Sequence, residues 1–205
     1  MSKNFNYVTV DEYQLEITTY CNAACPQCPR NIAGGKINPH LPLCHLSRET
    51  IDKAFTKELC NRLRQVGVHN ADWWKELAQI INGYGKIDFG IDGLNDTNHI
   101  YRRGVKFDNA INNAQSFIQA GGKAQWNFIV FKHNEHQIES ARKLSATVGF
   151  EKILFRGTGR FLNHETLKEQ DSWQVTPQKQ EPYKLEVTTL EEYRNNSMKN
   201  LGNLK

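Results

Sequence analysis

Three cysteines are the residues of this sequence best suited to chemistry. Cys21, Cys25 and Cys28 lie in one short run, Cys-Asn-Ala-Ala-Cys-Pro-Gln-Cys. Three thiolates can ligate three irons of a cubane 4Fe–4S cluster, and the fourth iron then has no protein ligand in this motif. A metal position that the protein leaves open can bind a substrate or a cofactor, whereas a closed site is structural. The spacing therefore predicts an iron–sulfur site with one open iron.

A zinc site is the alternative interpretation of these cysteines, with Cys44 or His45 as the fourth ligand. Structural zinc sites usually contain two short pairs of ligands separated by a spacer. A cysteine triplet whose first gap is three residues long does not follow that pattern. The spacing therefore favours the cluster, and the metal content of the purified protein would distinguish the two.

The composition sets limits on the class of protein. A chain of 205 residues suits one domain, with or without a tail. The net charge of +4 is mild, and no run of Lys and Arg is dense enough to indicate binding to nucleic acid or membranes. No apolar segment is long enough to span a bilayer, and the N-terminus lacks the apolar core of a secretory signal. We therefore expect a soluble, cytoplasmic protein whose cysteines stay reduced.

Strands and helices are expected to alternate along the chain. Residues 12–18 alternate between apolar and polar side chains, which predicts a strand that ends just before the cysteines. The remaining predictions are helices at Ser47 to about Arg64, from about Asn70, at 108–120 and at 135–148, and strands at 86–92, 124–131 and 152–155. This order indicates a parallel sheet with crossover helices. Functional residues in such sheets lie at the carboxyl ends of the strands.

The cysteine motif after a first strand resembles the signature of the radical S-adenosylmethionine (radical SAM) superfamily. The resemblance implies an α/β fold, a partial (β/α) barrel with a parallel sheet. It also implies a 4Fe–4S cluster on Cys21, Cys25 and Cys28 that reductively cleaves S-adenosylmethionine. The resulting 5′-deoxyadenosyl radical would abstract hydrogen from a peptide or small-molecule substrate. The implied partners are S-adenosylmethionine, that substrate and an electron donor such as flavodoxin or ferredoxin.

Two further segments resemble radical SAM proteins that carry a C-terminal SPASM domain. In the segment from Gly90 to Arg102, Asp92 and Arg102 occupy positions that this subgroup uses to hold the methionine carboxylate and the ribose of the cofactor. An arginine fork suits a carboxylate because it matches both oxygens. In the segment FIVFKHNEHQIE, the resemblance implies that Val130 packs on the adenine. The alternatives are a solvated arginine, an aspartate that shapes a turn, and a valine that belongs only to the core. His133 and His136, three residues apart in the same segment, could contact substrate or metal, or could be surface histidines at the start of a helix.

The sequence departs from this subgroup in two places. We expect residues 1–162 to form the radical SAM core, shortened between about 64 and 70, because only 63–68 could supply a strand where two are needed. The glycine-rich stretch expected on the second strand is absent. Residues 163–205 are polar and predict a linker or tail with a short helix at 190–201, and SPASM-type cysteines do not follow. A non-catalytic iron–sulfur or zinc-binding module derived from such an enzyme therefore remains the alternative.

Overall fold

Five strands form one parallel sheet in their order along the chain. The computed structural model describes residues 13–15, 19, 21, 23–32, 35–47, 49–50, 53, 61–65, 69–81, 83, 85–161, 170–177 and 180–194. The strands are β1 Tyr13–Leu15, β2 Asn61–Gln65, β3 Gly85–Gly90, β4 Lys123–Ile129 and β5 Lys152–Arg156. Each pairs in parallel with its neighbour, as expected for strands joined by crossovers.

The connections between these strands contain helices. The α-helices whose bounds the described residues define are α1 Ala71–Ile81, α2 Asn98–Tyr101, α3 Phe107–Gln119 and α4 Ile138–Val148. A further helix is described only at residues 49, 50 and 53. Short 3₁₀ turns lie at Glu135–Gln137, Gly159–Phe161 and Glu191–Tyr193. Helix α4 ends at Gly149, whose φ of +95° is the left-handed conformation that glycine adopts without a steric cost. None of the helices in the described ranges is long and apolar enough to cross a bilayer.

The two faces of the sheet differ in chemistry. On the helix-facing side, the Phe89 ring packs 4.9 Å from Trp74 of α1 and 6.3 Å from Phe117 of α3. Side chains alternate along a strand, so Asp88 and Gly90 lie on the opposite face. Asp88 is nevertheless only 2% exposed. The polar face therefore lies inside the protein, as the interior of a partial barrel would.

One helix prediction was wrong in its extent. The start is confirmed, since the Ser47 hydroxyl accepts a hydrogen bond from the Thr50 amide at 3.1 Å and caps the helix. The helix was expected to reach about Arg64, but residues 61–65 form β2 between β1 and β3. Backbone pairing on both edges of β2 outweighs the weak helix preference of this segment. Within the described ranges, β2 is the one strand between the cysteines and β3, and the shortening near 64–70 stays a prediction.

A second, antiparallel sheet lies within the segment that the sequence analysis assigned to a polar linker or tail. Strands β6 Ser172–Val175 and β7 Tyr183–Glu186 form it, and the 3₁₀ turn at 191–193 stands where a helix at 190–201 was expected to begin. Residues 162–169 and 195–205 lie outside the described ranges. Val175 and Leu185 are 0% exposed. A few well-placed apolar residues therefore fold a segment whose average composition is polar.

Glu135, in the 3₁₀ turn after β4, binds the residues that follow β7. Its carboxylate accepts hydrogen bonds from the Thr189 amide at 2.8 Å and from the hydroxyls of Thr188 and Thr189 at 2.5 and 2.6 Å. Partial burial raises the pKa of Glu135, but these donors and the Lys132 cation together outweigh it and hold the pKa below its usual value. The ionised form is therefore the one that the folded protein favours.

Glu135→Gln is expected to lower the free energy of unfolding by about 1 kcal/mol at neutral pH, since charged hydrogen bonds become neutral ones. A depressed carboxyl pKa contributes stability above the unfolded-state value and loses it as the pH falls through the folded-state value. The difference between wild type and variant should therefore shrink below about pH 4.5. Urea unfolding at several pH values measures it. A difference that does not change with pH would contradict the assignment, and Glu139→Gln, at an exposed position of α4, is the matched control.

Candidate iron–sulfur and cofactor site

The loop that carries the three cysteines is held against the segment after α2. The Ala24 amide donates to the Arg103 carbonyl at 2.7 Å. Within the loop, the Cys28 amide donates to the Cys25 carbonyl at 3.1 Å and forms a tight turn. All three cysteines are free thiols; Cys25 is 4% exposed, whereas Cys21 and Cys28 are half-buried. The loop follows β1, so it lies at the carboxyl edge of the sheet, where parallel α/β folds place their sites.

The donor chemistry of this loop fits a cubane cluster. In the described part of the chain, no three His, Cys, Asp or Glu side chains are grouped so that they could hold a metal ion. In a cubane, however, three cysteines ligate three different irons, so they need not converge on one point. The three thiols lie on one hydrogen-bonded loop. The positive charge of Arg102 beside them would stabilise the negative thiolates that ligate a cluster.

Arg102 connects the predicted cofactor residues to the cysteines. Its Nε donates to Asp92 Oδ2 at 2.5 Å, and its Nη1 lies 3.9 Å from Cys25 Sγ. The Arg102 side chain is 17% exposed and that of Asp92 is 0% exposed. Three residues selected from two separate sequence segments therefore meet at one point of the carboxyl edge.

Asp92 is fully engaged by the protein itself. Its second oxygen, Oδ1, accepts a hydrogen bond from the Ile129 amide at 2.6 Å, at the end of β4. Both carboxylate oxygens are thus bound, one by Arg102 and one by the backbone. In this structure Asp92 orients Arg102 and joins two strand ends.

The pKa values of the three residues at this point are set by burial and by their charged neighbours. Burial raises the pKa of the Cys25 thiol to about 11, and the Arg102 cation opposes that rise. Burial also raises the pKa of Asp92, against the lowering effect of Arg102 and of the Ile129 amide. For Arg102, burial disfavours the cation, but the adjacent Asp92 outweighs this and keeps its pKa above the usual range. Arg102 is therefore a fixed positive charge beside the cysteine loop.

The other two candidates lie near β4 but in different surroundings. Val130 is 1% exposed, and its amide donates to the Arg156 carbonyl at 2.9 Å, so its side chain is part of the core. A ligand could contact it only if neighbouring side chains moved. His133 stacks on Phe131 with 5.3 Å between ring centroids, and burial, with nearby histidines, lowers its pKa to about 4. His133 is therefore neutral at pH 7, and its described ring contact is to Phe131.

Asn134 supports the site and was missed by the sequence analysis. It is 0% exposed, and its Nδ2 donates to the carbonyls of Asp92 and Ile129, both at 3.0 Å. Its Oδ1 accepts from the Phe131 amide at 2.7 Å. A single amide side chain thus ties the ends of β3 and β4 together. The only signal in the sequence was an asparagine after a strand, which is typical of any turn.

Arg160 was also missed. Its Nη1 donates to the buried Tyr101 hydroxyl at 2.6 Å, and Gln27, between Cys25 and Cys28, donates to its carbonyl at 3.1 Å. The turn after β5 therefore reaches the cysteine loop. Gln27 Oε1 is buried and accepts no hydrogen bond within the described ranges, an arrangement that costs about 1–3 kcal/mol unless a ligand or water supplies a donor.

Gly90 leaves room for the Arg102 guanidinium, since a Cβ there would lie 2.6 Å from Nη2. Gly90→Ala is expected to displace the guanidinium from Asp92 and to destabilise the protein by about 1–2 kcal/mol. Chemical denaturation measures this. In an Arg102→Ala background, where the obstructing atoms are gone, the same glycine substitution should cost nothing further. An equal cost in both backgrounds would show that the guanidinium does not occupy this space.

The fold was compared with known proteins. No family model and no curated protein matches the chain. Structures of SuiB from Streptococcus suis are similar: SuiB itself gives a TM-score of 0.56 at 12% sequence identity, covering 78% of this chain and 42% of SuiB. SuiB bound to S-adenosylmethionine gives 0.51 at 13% identity, covering 78% and 43% of the two chains. SuiB bound to its precursor peptide SuiA gives 0.50 at 13% identity, covering 78% and 42%.

The similarity shows a shared fold. The predicted fold class, an α/β partial barrel with a parallel sheet, is confirmed, and the SuiB structures share that fold. The chain spans less than half the length of the SuiB structures that it matches.

Proposed function

We propose that this chain is a radical SAM iron–sulfur protein that binds a 4Fe–4S cluster and S-adenosylmethionine. The observation that carries the proposal is the contact of Arg102 with both Asp92 and Cys25. It brings the cysteine loop and the segment after β3 to one point at the carboxyl edge of a sheet of the radical SAM type. The fold of SuiB, which was solved with S-adenosylmethionine, supports the same class.

In this proposal Cys21, Cys25 and Cys28 hold the cluster. When bound, the cluster would supply one electron that cleaves S-adenosylmethionine into methionine and a 5′-deoxyadenosyl radical, which takes hydrogen from a substrate. The protein's own residues bind and orient the cofactor and the substrate, and they exclude water. Arg102, fixed by Asp92, places a positive charge beside the thiolates and offers donors to a ligand carboxylate. Buried Gln27 Oε1 offers an acceptor to a ligand amine or hydroxyl.

The finer assignments belong to this proposal as well. The substrate is a peptide or a small molecule. The structure of SuiB bound to a precursor peptide supports a peptide substrate. The subgroup is the SPASM-type one, with Val130 near the adenine and with a core that ends near residue 162 and is shortened near 64–70. The electron donor is a flavodoxin or a ferredoxin, and the compartment is the cytoplasm.

A non-catalytic module is the second candidate, and one observation favours it. Both oxygens of Asp92 are already bound within the protein. A chain that held the cluster but could not seat S-adenosylmethionine would show iron without cleavage. A zinc-binding form would show zinc in place of iron.

Anaerobic reconstitution followed by metal analysis tests the proposal. The purified chain is expected to be brown, to bind about four irons, and to release 5′-deoxyadenosine when S-adenosylmethionine and dithionite are added. Iron without 5′-deoxyadenosine would support the non-catalytic module. A colourless protein with one tightly bound zinc would refute the iron–sulfur assignment.

A further inference from the structure

The face of the parallel sheet that points away from the helices is rich in positive charge. We call it the inner face, and it is the face on which Asp88 and Gly90 of β3 lie. Residues that pair in register on neighbouring strands share a face, because side chains alternate along each strand. The register therefore gives the charged members of the inner face on β3, β4 and β5 as Lys86, Asp88, Lys123, Lys152 and Arg156.

The cations of the inner face are accessible and are not paired with carboxylates. Lys123, Lys152 and Arg156 are exposed, and Lys86 is half-buried. Over the described ranges, none of these four side chains forms an ion pair. Cations that share one face and lack partners of their own create a positive potential, which attracts an anionic ligand.

The spacing of these charges along β5 matches an extended peptide. Strand β5 is at one end of the strand order in the sheet, and its inner-face residues are Lys152, Leu154 and Arg156. The two cations are four residues apart, which is about 13 Å along a strand. Two acidic residues four apart in an extended peptide have the same spacing, and the residue midway between them would lie beside the half-buried Leu154.

Asn127 adds a hydrogen-bond acceptor that suits a peptide better than an inorganic anion. Its Oδ1 is buried, and no donor in the part of the chain that the structure describes reaches it. Asn127 is paired in register with Leu154 on β5 and with Gly90 on β3, so it lies at the same level as the midpoint of the peptide. A peptide carries an N–H donor at every residue except proline, whereas the oxygens of a phosphate are mainly acceptors.

The same level of the sheet leads to the candidate iron–sulfur and cofactor site. The Arg102 guanidinium lies over Gly90, since a Cβ at Gly90 would be 2.6 Å from Nη2. Arg102 in turn lies 3.9 Å from Cys25 Sγ. A peptide residue placed between Leu154 and Asn127 would therefore be the one closest to Arg102.

We propose that the inner face of β4 and β5 binds an acidic stretch of a peptide substrate, with an apolar residue midway between two acidic ones. The cations of β5 bind the two carboxylates, Asn127 accepts a hydrogen bond from the peptide backbone, and Leu154 contacts the apolar residue. This inference rests on the proposed function and names the substrate class of the same site. The apolar residue is the part of the peptide that lies nearest to the predicted cluster.

The binding test uses the reconstituted protein and a fluorescein-labelled peptide, Gly-Glu-Gly-Leu-Gly-Glu-Gly. Fluorescence anisotropy measures the dissociation constant. A matched peptide with Gln in place of both Glu residues should bind about tenfold more weakly at low salt, because its carboxylates are gone. The difference between the two peptides should shrink as salt rises, because salt screens the charges.

Variants of the protein separate the charges from the hydrogen bond. Lys152→Glu and Arg156→Glu are each expected to weaken binding of the acidic peptide about tenfold at low salt. Asn127→Leu should weaken it about fivefold at every salt concentration, since a neutral hydrogen bond is lost. The matched control is Lys143→Glu, at an exposed position of α4, which makes the same change of charge and should bind like wild type. Thermal unfolding shows that each variant is folded.

The possible outcomes distinguish this inference from the proposed function. Equal affinity for the two peptides, or inner-face variants that bind the acidic peptide like wild type, would overturn the inference. So would tripolyphosphate or a single-stranded oligonucleotide that displaces the peptide at a lower concentration than the unlabelled peptide does, since the face would then be a general anion site. A wild-type protein that binds no iron, or that releases no 5′-deoxyadenosine with dithionite, would refute the proposed function instead.

Discussion

Replacing Cys25 with alanine is expected to abolish iron binding by the reconstituted protein. Three thiolates are the whole set of ligands in this motif, so the loss of one leaves two irons without a protein ligand. Cys25 is the buried member of the three and the one in contact with Arg102. Iron content and the visible absorption of the cluster measure the result, and we expect a fall from about four irons per chain to less than one.

Cys44→Ala is the matched control for this substitution. Cys44 is exposed and lies outside the motif, and the iron–sulfur interpretation gives it no ligand role. Its removal should leave the iron content unchanged, whereas the zinc alternative would have it lower the metal content. If Cys25→Ala retained a full complement of iron, the assignment of the motif would be wrong. Thermal unfolding of the metal-free forms shows whether each variant still folds.

Removing Asp92 is expected to destabilise the protein by about 3–5 kcal/mol, the largest stability effect that we predict. Asp92→Ala leaves the Arg102 guanidinium without its partner, and breaking a buried ion pair on one side is strongly unfavourable. The Ile129 amide loses its acceptor at the same time. Chemical denaturation of the metal-free protein measures the change, so the result does not depend on the cluster.

An exposed ion pair gives the comparison for this effect. Asp72 pairs with Lys75 at 3.1 Å on α1, and its side chain is 80% exposed. Asp72→Ala should cost less than about 1 kcal/mol, because solvent screens such pairs. A double-mutant cycle with Arg102→Ala should show coupling between Asp92 and Arg102. Equal costs for Asp92→Ala and Asp72→Ala would refute the role of the buried pair.

Several elements could be predicted because their apolar residues recur with a clear period. The helix expected at 108–120 is α3 at Phe107–Gln119, and the strand expected at 124–131 is β4 at Lys123–Ile129. Strand β2 could not be predicted in the same way. Its sequence, Asn-Arg-Leu-Arg-Gln, has a single apolar residue and is compatible with a helix. Only the partners on its two edges decide its conformation, and they are distant in sequence.

The residues of the candidate site also differ in whether the sequence alone could identify them. The cysteines could be selected because their chemistry is local in the sequence. Asp92 and Arg102 could be selected one by one, but their mutual ion pair depends on how the chain folds back after β3. Asn134 and Arg160 could not be selected, since each acts through backbone carbonyls or a tyrosine hydroxyl that only the folded loops bring within reach.

The end of α2 and the residue Arg103 that follows it are hydrogen-bonded from two sides. The Ala24 amide binds the Arg103 carbonyl, and the Tyr183 hydroxyl binds the Ile100 carbonyl at 2.5 Å. Arg103 also donates to Gln180 at 2.9 Å. One short stretch of backbone therefore belongs to two distant parts of the chain, so local opening on one side should loosen the other. In hydrogen exchange, the Ala24 amide should then lose its protection together with the strands that flank Gln180.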